Sequence, residues 1–514
     1  MTFLLVDIGY DCEELNEPLG IDVLASFLKV YHPSVTIHTH CSNLRGYDWD
    51  AILESSKPDI LGVSTHINTW KRLDSLYVSY LNFCKRRQSS PIIVIGGILA
   101  SYEYGIILQK YENVICAIGE GEGSLSKIIQ TAQEINNLSC MELVEKLVVN
   151  RCNNIAVRYN GEIYTASRSV QPDLTRLDYC VSHEYLKDTI SNQGIARIEA
   201  SRGCPWNRCS FCVLDWKYAG VCWRPYSWEK VIPEIIKVSN LGASTIYFTD
   251  EEFLAGGYDR YQSFIAQIRM LKQAGIIPSG LEFVASTSAQ ALLGKYEMTK
   301  SEVQECLMHL KQIGFRAFFL GIESGCDSQL IRYMKGSTVQ NNEDAIALLR
   351  KYGIEADIGY ILFDPLMKVS ELEESLAFLK RNHLDHHMSR FAKRLRLVPH
   401  TAYLKKEGIV FECYNHDSVE LLYKFSDPDI RMIFDCFSKW ESTHLGETHM
   451  IQAEIRACDS TFQRKQKMNT LEKIRHTEYD VLCRLVELSR SLHNFSERSI
   501  DEIMDRVFDH ELLC

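Results

Sequence analysis

Three cysteines lie close together near the middle of the chain, at Cys204, Cys209 and Cys212. A glycine precedes the first of them and a proline follows it, and both residue types favour a tight turn. A loop this short can turn three thiolates toward one point, which a soft metal centre requires. Two interpretations are open: a structural zinc with Cys222 as its fourth ligand, or a [4Fe–4S] cluster with one iron left for a small-molecule ligand.

The other cysteines are scattered through apolar or helical surroundings. Eighteen cysteines in 514 residues, distributed in this way, favour a reducing compartment over a secreted disulfide scaffold. No apolar run is long enough to span a bilayer, since the N-terminal run ends at Asp7. We therefore expect a cytoplasmic protein with no membrane partner.

The charge of the chain argues against a nucleic-acid partner. Lys and Arg total 56 against 67 Asp and Glu, a net charge of −11, so there is no basic footprint for a duplex. One basic run could meet an anionic substrate or a cofactor phosphate, although a solvated face explains it more simply. The run consists of Arg390, Lys393, Arg394 and Arg396.

The elements before the cysteines indicate an α/β protein. In residues 1–130 short apolar strands alternate with helical stretches, which predicts a Rossmann- or flavodoxin-like domain with a parallel sheet. Ligands of such a sheet gather beyond the carboxyl ends of its strands, and several strands here end in glycine. Residues 131–190 are more polar, contain one hairpin signal at Asn160-Gly161, and are interpreted as a linker.

From residue 191 the alternation returns with longer periods. It predicts a partial (βα)6 TIM barrel over residues 191–405, with its chemistry at the C-terminal strand ends. Residues 406–514 are predicted to be a helical C-terminal region. The cysteine loop directly follows the first barrel strand. A closed zinc site needs neither that strand nor motifs at the other strand ends, which favours the iron–sulfur interpretation.

In these motifs the sequence resembles the radical S-adenosylmethionine (SAM) superfamily, and specifically its members with an N-terminal cobalamin-binding domain. The resemblance covers most of residues 190–405 and rests on four motifs in order, at 204–212, 249–253, 321–325 and 359–362. It implies that the three cysteines hold a [4Fe–4S] cluster and that SAM chelates the open iron. It also implies that Phe211 lies near the adenine and that Ile361 contributes to the cofactor site.

The resemblance further implies side chains that contact SAM. Candidates for the methionyl amino group are Thr249, Asp250 and Glu251, although a helix N-cap cluster before Phe253 is an alternative. Glu323 could accept from the ribose or the amino group. The carboxylate could be supported by two serines, Ser286 and Ser288.

The sequence departs from the family pattern in three places. Four residues, where three are commonest, separate Cys204 from Cys209, which enlarges the loop without altering the ligand set. The third strand lacks the arginine often found at its end, and residues 363–366 replace a Pro-Gly turn. These two differences leave open which group binds the SAM carboxylate.

The first domain has no Asp-x-His-x-x-Gly motif to supply a lower ligand to cobalt. Cobalamin-binding radical SAM proteins often lack this motif and show other short motifs at the strand ends. The matching residues here are Pro18, Leu19, Ser64, Thr65, His66, Gly96, Gly97, Gly119, Glu120, Gly121 and Glu122. We expect cobalamin without a histidine ligand, since His66 is more simply a hydrogen-bonding loop residue. A vestigial domain that keeps only the fold is the alternative.

The resemblance implies an enzyme whose reduced cluster cleaves SAM to a 5′-deoxyadenosyl radical, which takes hydrogen from an unactivated carbon. Cobalamin-dependent methylation of a small-molecule or peptide substrate is the first hypothesis, with an external electron donor of flavodoxin or ferredoxin type. The alternatives are a cobalamin-independent rearrangement or oxidation, and a non-catalytic cobalamin or metal sensor. Methylthiolation of transfer RNA is disfavoured by the acidic charge and the helical C-terminus.

Overall fold

The computed structural model describes residues 1–9, 16–87, 90–169, 173–385, 391, 393–457 and 461–508. The first sheet has the strands β1 (Thr2–Asp7), β2 (Thr36–Cys41), β3 (Ile60–Thr65), β4 (Ile92–Gly97), β5 (Val114–Ala117), β6 (Ile155–Tyr159) and β7 (Glu162–Thr165). The helices that accompany it are α1 (Leu19–Tyr31), α2 (Ser42–Arg45), α3 (Trp49–Ser56), α4 (Trp70–Arg87), α5 (Ile98–Lys110), α6 (Gly121–Gln133) and α7 (Cys140–Val149).

The centre of the first sheet is buried on both faces because β1, β3, β4 and β5 carry continuous runs of buried, mainly apolar residues. The strand order is β2-β1-β3-β4-β5-β6-β7, and the pairs from β2 to β5 are parallel. Side chains alternate between two cores, so that Phe3 and Leu5 join one and Leu4 and Val6 the other. The predicted α/β class is confirmed.

The hairpin predicted at Asn160-Gly161 extends this sheet. Strand β6 pairs antiparallel with β5, and β7 pairs antiparallel with β6. The segment interpreted as a linker therefore contributes two strands to the first sheet. Sequence could assign the turn but not the strand that the hairpin pairs with.

The second parallel sheet begins after residue 195. Its strands, with those of a short ribbon, are β8 (Ala196–Ile198), β9 (Ser201–Gly203), β10 (Trp223–Pro225), β11 (Thr245–Phe248), β12 (Glu282–Ser288), β13 (Phe315–Glu323) and β14 (Glu355–Tyr360). The helices of this part are α8 (Leu186–Ser191), α9 (Leu214–Lys217), α10 (Trp228–Asn240), α11 (Tyr258–Gln273), α12 (Ala289–Leu292), α13 (Lys300–Gln312), α14 (Asp327–Arg332), α15 (Val339–Lys351) and α16 (Val369–Arg381).

The order β14-β13-β12-β11-β8 gives an open barrel of parallel strands. Strands β9 and β10 pair antiparallel and enclose the cysteine loop. The sixth predicted strand is represented, among the described residues, by a single parallel bridge between Phe363 and Arg394.

The C-terminal part contains the strands β15 (Val410–Asn415) and β16 (Glu420–Lys424) and the helices α17 (Pro428–Ala457), α18 (Thr461–Ser491) and α19 (Ile500–Val507). The predicted helical region therefore begins only at Pro428, after a hairpin that was not predicted. Strand β15 is almost entirely exposed, so its sequence carries little hydrophobic alternation. In the described part of the chain, no helix is both long and apolar enough to cross a membrane.

A buried histidine ties the first sheet to the barrel. His183 Nδ1 lies 2.6 Å from Glu17 before α1, and His183 Nε2 lies 3.1 Å from Glu234 in α10. All three side chains are 0–2% exposed. Burial alone lowers the pKa of His183, but the hydrogen bonds to the two carboxylates outweigh it and raise the pKa from 6.5 to about 9.

The raised pKa predicts a pH-dependent part of the stability. Because the folded protein binds this proton more tightly than the unfolded chain, the contribution is complete below pH 6.5 and is lost as the pH rises through about 9. The shift corresponds to about 3 kcal/mol. In His183→Gln, urea unfolding followed by circular dichroism should no longer show this loss between pH 6.5 and 10. The exposed His38→Gln is the control, and an unchanged pH dependence in His183→Gln would contradict the assignment.

Candidate active site

The cysteine loop leaves the first barrel strand through a glycine that no other residue could replace without strain. Gly203 has φ +91°, and a Cβ at this position would lie 2.0 Å from the carbonyl oxygen of Cys222, which directly precedes the facing strand β10. Cys204, Cys209 and Cys212 are half-buried, whereas Cys222 is exposed. The β9–β10 ribbon thus leads the chain into the cysteine loop. Cys222 lies outside the group of three half-buried cysteines.

The base of the loop is held by backbone hydrogen bonds. Ser210 N donates to Tyr333 O at 2.8 Å, and Tyr403 N donates to Ser210 O at 2.7 Å. Trp206 Nε1 donates to the carbonyl of Met334 at 2.9 Å. The loop is therefore fixed between the turn after α14 and the segment that follows the barrel.

The three thiols lie in a protected environment. Burial raises the pKa of Cys204 to about 11 and that of Cys209 to about 12, and it raises the pKa of Cys212 in the same direction. In each case a nearby lysine, Lys335, partly offsets the increase. Among the described residues no three His, Cys, Asp or Glu side chains lie close enough to hold one metal ion. A polynuclear cluster spaces its thiolates more widely than a single ion does.

Sequence reasoning missed Lys335, a buried cation beside the thiols. Its side chain is 9% exposed, and Nζ lies 3.0 Å from Glu323 Oε1. Burial lowers the pKa of Lys335, but the charges of Glu323 and Cys209 outweigh it and the pKa rises above its usual value. Glycine makes room for the pair, since a Cβ at Gly321 would lie 2.8 Å from the Glu323 carboxylate and 3.2 Å from Lys335 Nζ.

The three acidic residues after β11 point in different directions. Asp250 is buried and accepts hydrogen bonds from Ala200 N and Ser201 Oγ, and burial raises its pKa to about 7. Glu251 reaches the cysteine loop and accepts from Gly203 N at 2.9 Å. The helix N-cap alternative is wrong, because the next helix, α11, begins only at Tyr258.

Glu251 also fixes the far end of the loop. It accepts from Lys217 Nζ at 2.9 Å and Tyr218 Oη at 2.7 Å. Burial raises the pKa of Glu251, but Lys217 and the hydrogen bonds outweigh it, so the pKa lies below its usual value. One carboxylate thus joins both ends of the cysteine-containing segment.

The predicted serines already have protein partners. Ser288 Oγ donates to Glu252 at 2.6 Å and caps α12, while Ser286 Oγ lies 2.9 Å from Tyr247 Oη. The Thr249 hydroxyl donates to Ile198 O at 3.4 Å. The remaining two predicted contacts, Phe211 and Ile361, are partly buried in the same apolar cluster as Tyr333.

A cavity of about 730 Å³ joins the strand ends of the first sheet to the segment directly after the cysteines and to the ends of the barrel strands β8 and β11. It is lined by these predicted residues: Pro18, Leu19, Ser64, His66, Gly97, Gly119, Glu120, Gly121, Glu122 and Thr249. Thr65 is not in the lining, since it is buried and its hydroxyl donates to Gly96 O at 2.7 Å. Leu214 and Trp216, directly after the cysteines, line the opposite side.

His66 faces the cavity and is hydrogen-bonded to an aspartate. Its Nε2 lies 3.1–3.2 Å from the two carboxylate oxygens of Asp7, which also accepts from Gly9 N at 2.7 Å. The structure therefore agrees with a hydrogen-bonding role for His66.

The basic run after the barrel is divided. Arg394 pairs with Glu420 at 3.2 Å, and Arg396 lines the cavity. Arg390 lies outside the described residues. A solvated face accounts for only part of this run.

A buried ion network connects the two sheets at the edge of the cavity. Arg202 donates from Nε to Glu199, from one terminal nitrogen to Glu120 and from the other to Glu122, at 2.6–2.9 Å. Arg224 adds a second bond to Glu120 at 2.7 Å. The other oxygen of Glu120 is buried and has no hydrogen-bond partner among the residues that the structure describes.

Residues 198–379 match the family model of the Radical SAM superfamily. Over 346 residues the chain is 26% identical to 4′-phospho-dehydrooxetanocin synthase of Priestia megaterium. The aligned region covers 64% of this chain and 43% of that protein. It is 24% identical over 356 residues to hopanoid C-3 methylase of Methylococcus capsulatus. This aligned region covers 67% of this chain and 61% of that protein. The chain thus spans less than two thirds of either relative.

The fold is similar to two solved structures. One is the cobalamin-dependent SAM radical enzyme OxsB with aqua-cobalamin and SAM bound, at a TM-score of 0.84 and 20% identity, over 100% of this chain and 79% of that chain. The other is the radical SAM methyltransferase TsrM from Kitasatospora setae with cobalamin and a [4Fe–4S] cluster bound, at 0.62 and 14%, over 99% of both chains. The predicted fold, with a Rossmann-like first domain, a partial barrel and a helical C-terminal region, is confirmed.

Proposed function

We propose, because residues 198–379 belong to the radical SAM superfamily, that this protein is a cobalamin-dependent radical SAM methyltransferase acting on an unactivated carbon. The observation that carries the proposal is the opening of one cavity onto three surfaces: the strand ends of the first sheet, the barrel mouth and the segment after the cysteines. Cofactors on the first sheet and at the barrel mouth would therefore share one space with the substrate.

The cysteine loop has the donor set that a [4Fe–4S] cluster requires. We assign Cys204, Cys209 and Cys212 as its ligands, since all three are half-buried on one short loop and Cys222 is exposed. Glu251 holds Gly203 and Lys217 on either side of the loop, which limits the movement of the ligands.

The groups around Lys335 and Glu323 suit the charged end of SAM. The third barrel strand lacks the arginine that could bind the SAM carboxylate, and Lys335 supplies a cation for that carboxylate instead. Glu323 supplies an acceptor for the SAM ammonium group or a hydroxyl. When bound, the cluster and SAM supply a hydrogen-abstracting radical, and cobalamin supplies a transferable methyl group.

Loss of the Lys335 charge should weaken SAM binding. In Lys335→Met we expect a dissociation constant for SAM about tenfold to a hundredfold higher, because an anionic group would lose a buried charged partner. Equilibrium binding and the cluster absorbance should be measured together, with Lys335→Arg as the conservative variant and the exposed Lys300→Met as the control. An unchanged affinity in Lys335→Met, with the absorbance intact, would contradict the assignment.

The cavity also fits a corrinoid nucleotide tail. Gly97 and Gly119 line it with φ +92° and +79°, and a Cβ would lie 2.2 Å from Thr65 O at the first and 2.7 Å from the Arg168 guanidinium at the second, so glycine keeps the backbone of these strand ends at the cavity wall. The unpartnered oxygen of Glu120 is suited to an amide or hydroxyl donor of such a ligand. Apolar side chains such as Leu24 and Val213 limit the access of water.

His66 should not be a ligand of cobalt. Since Asp7 occupies its Nε2, the absorption and electron paramagnetic resonance spectra of bound cobalamin should be the same in His66→Ala as in the parent. A nitrogen splitting present in the parent and absent from His66→Ala would overturn this expectation.

We further infer a small-molecule or peptide substrate, an external one-electron donor and a location in the reducing cytoplasm. The last is supported by the unpaired state of every described cysteine. The domain division that we propose separates residues 1–130, 131–190, 191–405 and 406–514, and the hairpin of the second segment pairs with the sheet of the first.

The proposal is tested by anaerobic incubation of the reconstituted full chain with methyl-labelled SAM and a reductant, with and without cobalamin. We expect 5′-deoxyadenosine to form both with and without cobalamin. When cobalamin is present, the labelled methyl group should be transferred to it. Cleavage of SAM by a protein that binds no cobalamin would replace methylation with the cobalamin-independent alternative. Stoichiometric zinc in place of iron would overturn the proposal altogether.

A further inference from the structure

A short segment of the C-terminal hairpin reaches back to the first sheet and forms part of the wall of the large cavity. We call it the strap, and it consists of residues 414–419, which include the turn between β15 and β16. Ser418 and Val419 line the cavity together with Ser64 and Gly97 from the strand ends. The strap therefore bounds the space that the first sheet offers to a cofactor.

A buried carboxylate holds the strap to the first sheet. Glu103 is 4% exposed and lies in α5, which departs from helical geometry at this residue with φ −109° and ψ 19°. It accepts hydrogen bonds from Tyr414 Oη and, at 2.9 Å, from His416 Nδ1. Beside this pair, Asn68 N donates to Asp417 O at 2.6 Å. Glu103 is thus the latch of the strap, and the side chains that it binds lie outside the lining of the cavity.

The strap ends in a residue with a strained backbone. Val419 has φ +53°, a left-handed conformation that is unfavourable for a β-branched residue. Its side chain is 1% exposed and packs in the core of the first sheet, so burial outweighs the strain while the strap is closed. Release of the strap would relax this backbone, which offsets part of the cost of exposing the valine.

The two strands of the hairpin are anchored differently. Leu421 on β16 is fixed to the segment after the barrel, since its backbone nitrogen donates to Leu397 O at 2.7 Å. On β15, by contrast, Phe411 is 43% exposed. The hairpin forms a separate two-stranded sheet, and such a sheet is only marginally stable on its own. Movement of the strap would therefore pivot at Val419, next to the anchored strand.

We propose that the strap is a gate, which opens by losing its bonds to Glu103 and so lets cobalamin enter and leave the cavity. This inference rests on the proposed function, in which cobalamin binds at the strand ends of the first sheet. Cobalamin is much larger than the drug-sized ligands that cavities of this volume enclose. A wall has to move during its exchange, and the strap is a wall that a single turn attaches to the first sheet.

A gate and a direct contact with the ligand differ in their kinetics. If cobalamin passes through the open position, a weaker latch increases opening by the same factor in the free and the loaded protein. Association and dissociation are then accelerated equally, and the dissociation constant stays the same. Loss of a direct contact with cobalamin would instead accelerate dissociation alone.

The test weakens the latch without changing the lining of the cavity. In the full chain with Tyr414→Phe/His416→Ala, stopped-flow absorbance with hydroxocobalamin should show both rates about tenfold or more higher, because two hydrogen bonds to a carboxylate are lost. The dissociation constant should stay within about twofold of that of the parent. Tyr77→Phe/His38→Ala makes the same two changes away from the strap, where Tyr77 bonds to Glu112, and should leave both rates unaltered.

Hydrogen exchange tests the opening of the strap without cobalamin. The amide of Asn68 donates to Asp417 O, so its protection requires the closed strap. In Tyr414→Phe/His416→Ala, exchange in a peptide that covers residues 66–70 should be faster than in the parent. Exchange in β4 should be unchanged, which excludes a general loss of stability.

The outcomes separate the gate from the proposed function. Unchanged cobalamin rates in the latch variant, or faster dissociation without faster association, would overturn the gate and leave the proposed function intact. Unchanged exchange at residues 66–70 would overturn the gate as well. A parent protein that binds no cobalamin would instead refute the cobalamin-dependent function on which the gate rests.

Discussion

Replacing any one of Cys204, Cys209 or Cys212 with Ala is expected to reduce SAM cleavage by more than about a hundredfold. Mutation of a residue that only hydrogen-bonds to a metal ligand already lowers metal affinity or activity about tenfold to a hundredfold. Loss of a direct ligand should lower activity further. The three thiols share one half-buried loop, and residues 204–212 contain no fourth cysteine that could replace a missing ligand. The measurements are iron and sulfide content, the cluster absorbance, and 5′-deoxyadenosine formed under dithionite.

Cys222→Ala is the matched control, since Cys222 is exposed and directly precedes the strand that pairs with β9. It should keep its iron and its activity. A protein that loses stoichiometric zinc when Cys222 is replaced, and that contains no iron, would contradict the ligand assignment.

The sequence was sufficient to predict the sheets because their strands are buried and apolar. In β1 every residue from Phe3 to Val6 is buried, so the run is recognisable without knowledge of its neighbours. The hairpin β15–β16 was missed for the opposite reason, since β15 faces solvent along most of its length. Pairing was also beyond reach, because nothing in residues 155–165 specifies β5 as their partner.

The candidate site was predictable where a motif is local and not where the fold brings distant residues together. The cysteine loop and Glu323 lie in short motifs, whereas Lys335 becomes notable only because its ammonium lies 3.0 Å from Glu323 and near the thiols. Asp250 and Glu251 are adjacent in sequence, yet one is buried under the strand and the other holds the cysteine loop. Their directions depend on backbone geometry at the strand end, which residue type does not encode.

Arg202→Met is expected to destabilise the protein by about 3–5 kcal/mol at neutral pH, since removal of one partner leaves buried charges uncompensated. Arg202 is 8% exposed and is the common partner of Glu120, Glu122 and Glu199. Methionine fills a similar volume, so the loss would arise mainly from charge rather than from a cavity. Denaturant unfolding followed by circular dichroism measures the difference.

Exposed ion pairs of the same kind give the control. Arg45 bonds to Glu184 and Asp188, and the side chains are 35–44% exposed, so Arg45→Met should cost less than about 1 kcal/mol. A change in Arg202→Met no larger than that in Arg45→Met would contradict the prediction.

The pH dependence distinguishes lost charge pairing from lost packing in Arg202→Met. Burial raises the pKa of Glu122, but the charge of Arg202 outweighs it, and the pKa lies below the usual 4.5. A lowered pKa contributes stability above the unfolded value, and that contribution is lost as the pH falls through the folded value. The difference between parent and Arg202→Met should therefore be largest near pH 7 and shrink toward pH 4, because protonated carboxyls no longer need the guanidinium. Glu120 and Glu122 lie at the start of α6, which follows strand β5 of the first sheet, and Glu199 follows β8. Faster hydrogen exchange at residues 119–122 in this variant would therefore show that the ion network holds the two sheets together around the cavity.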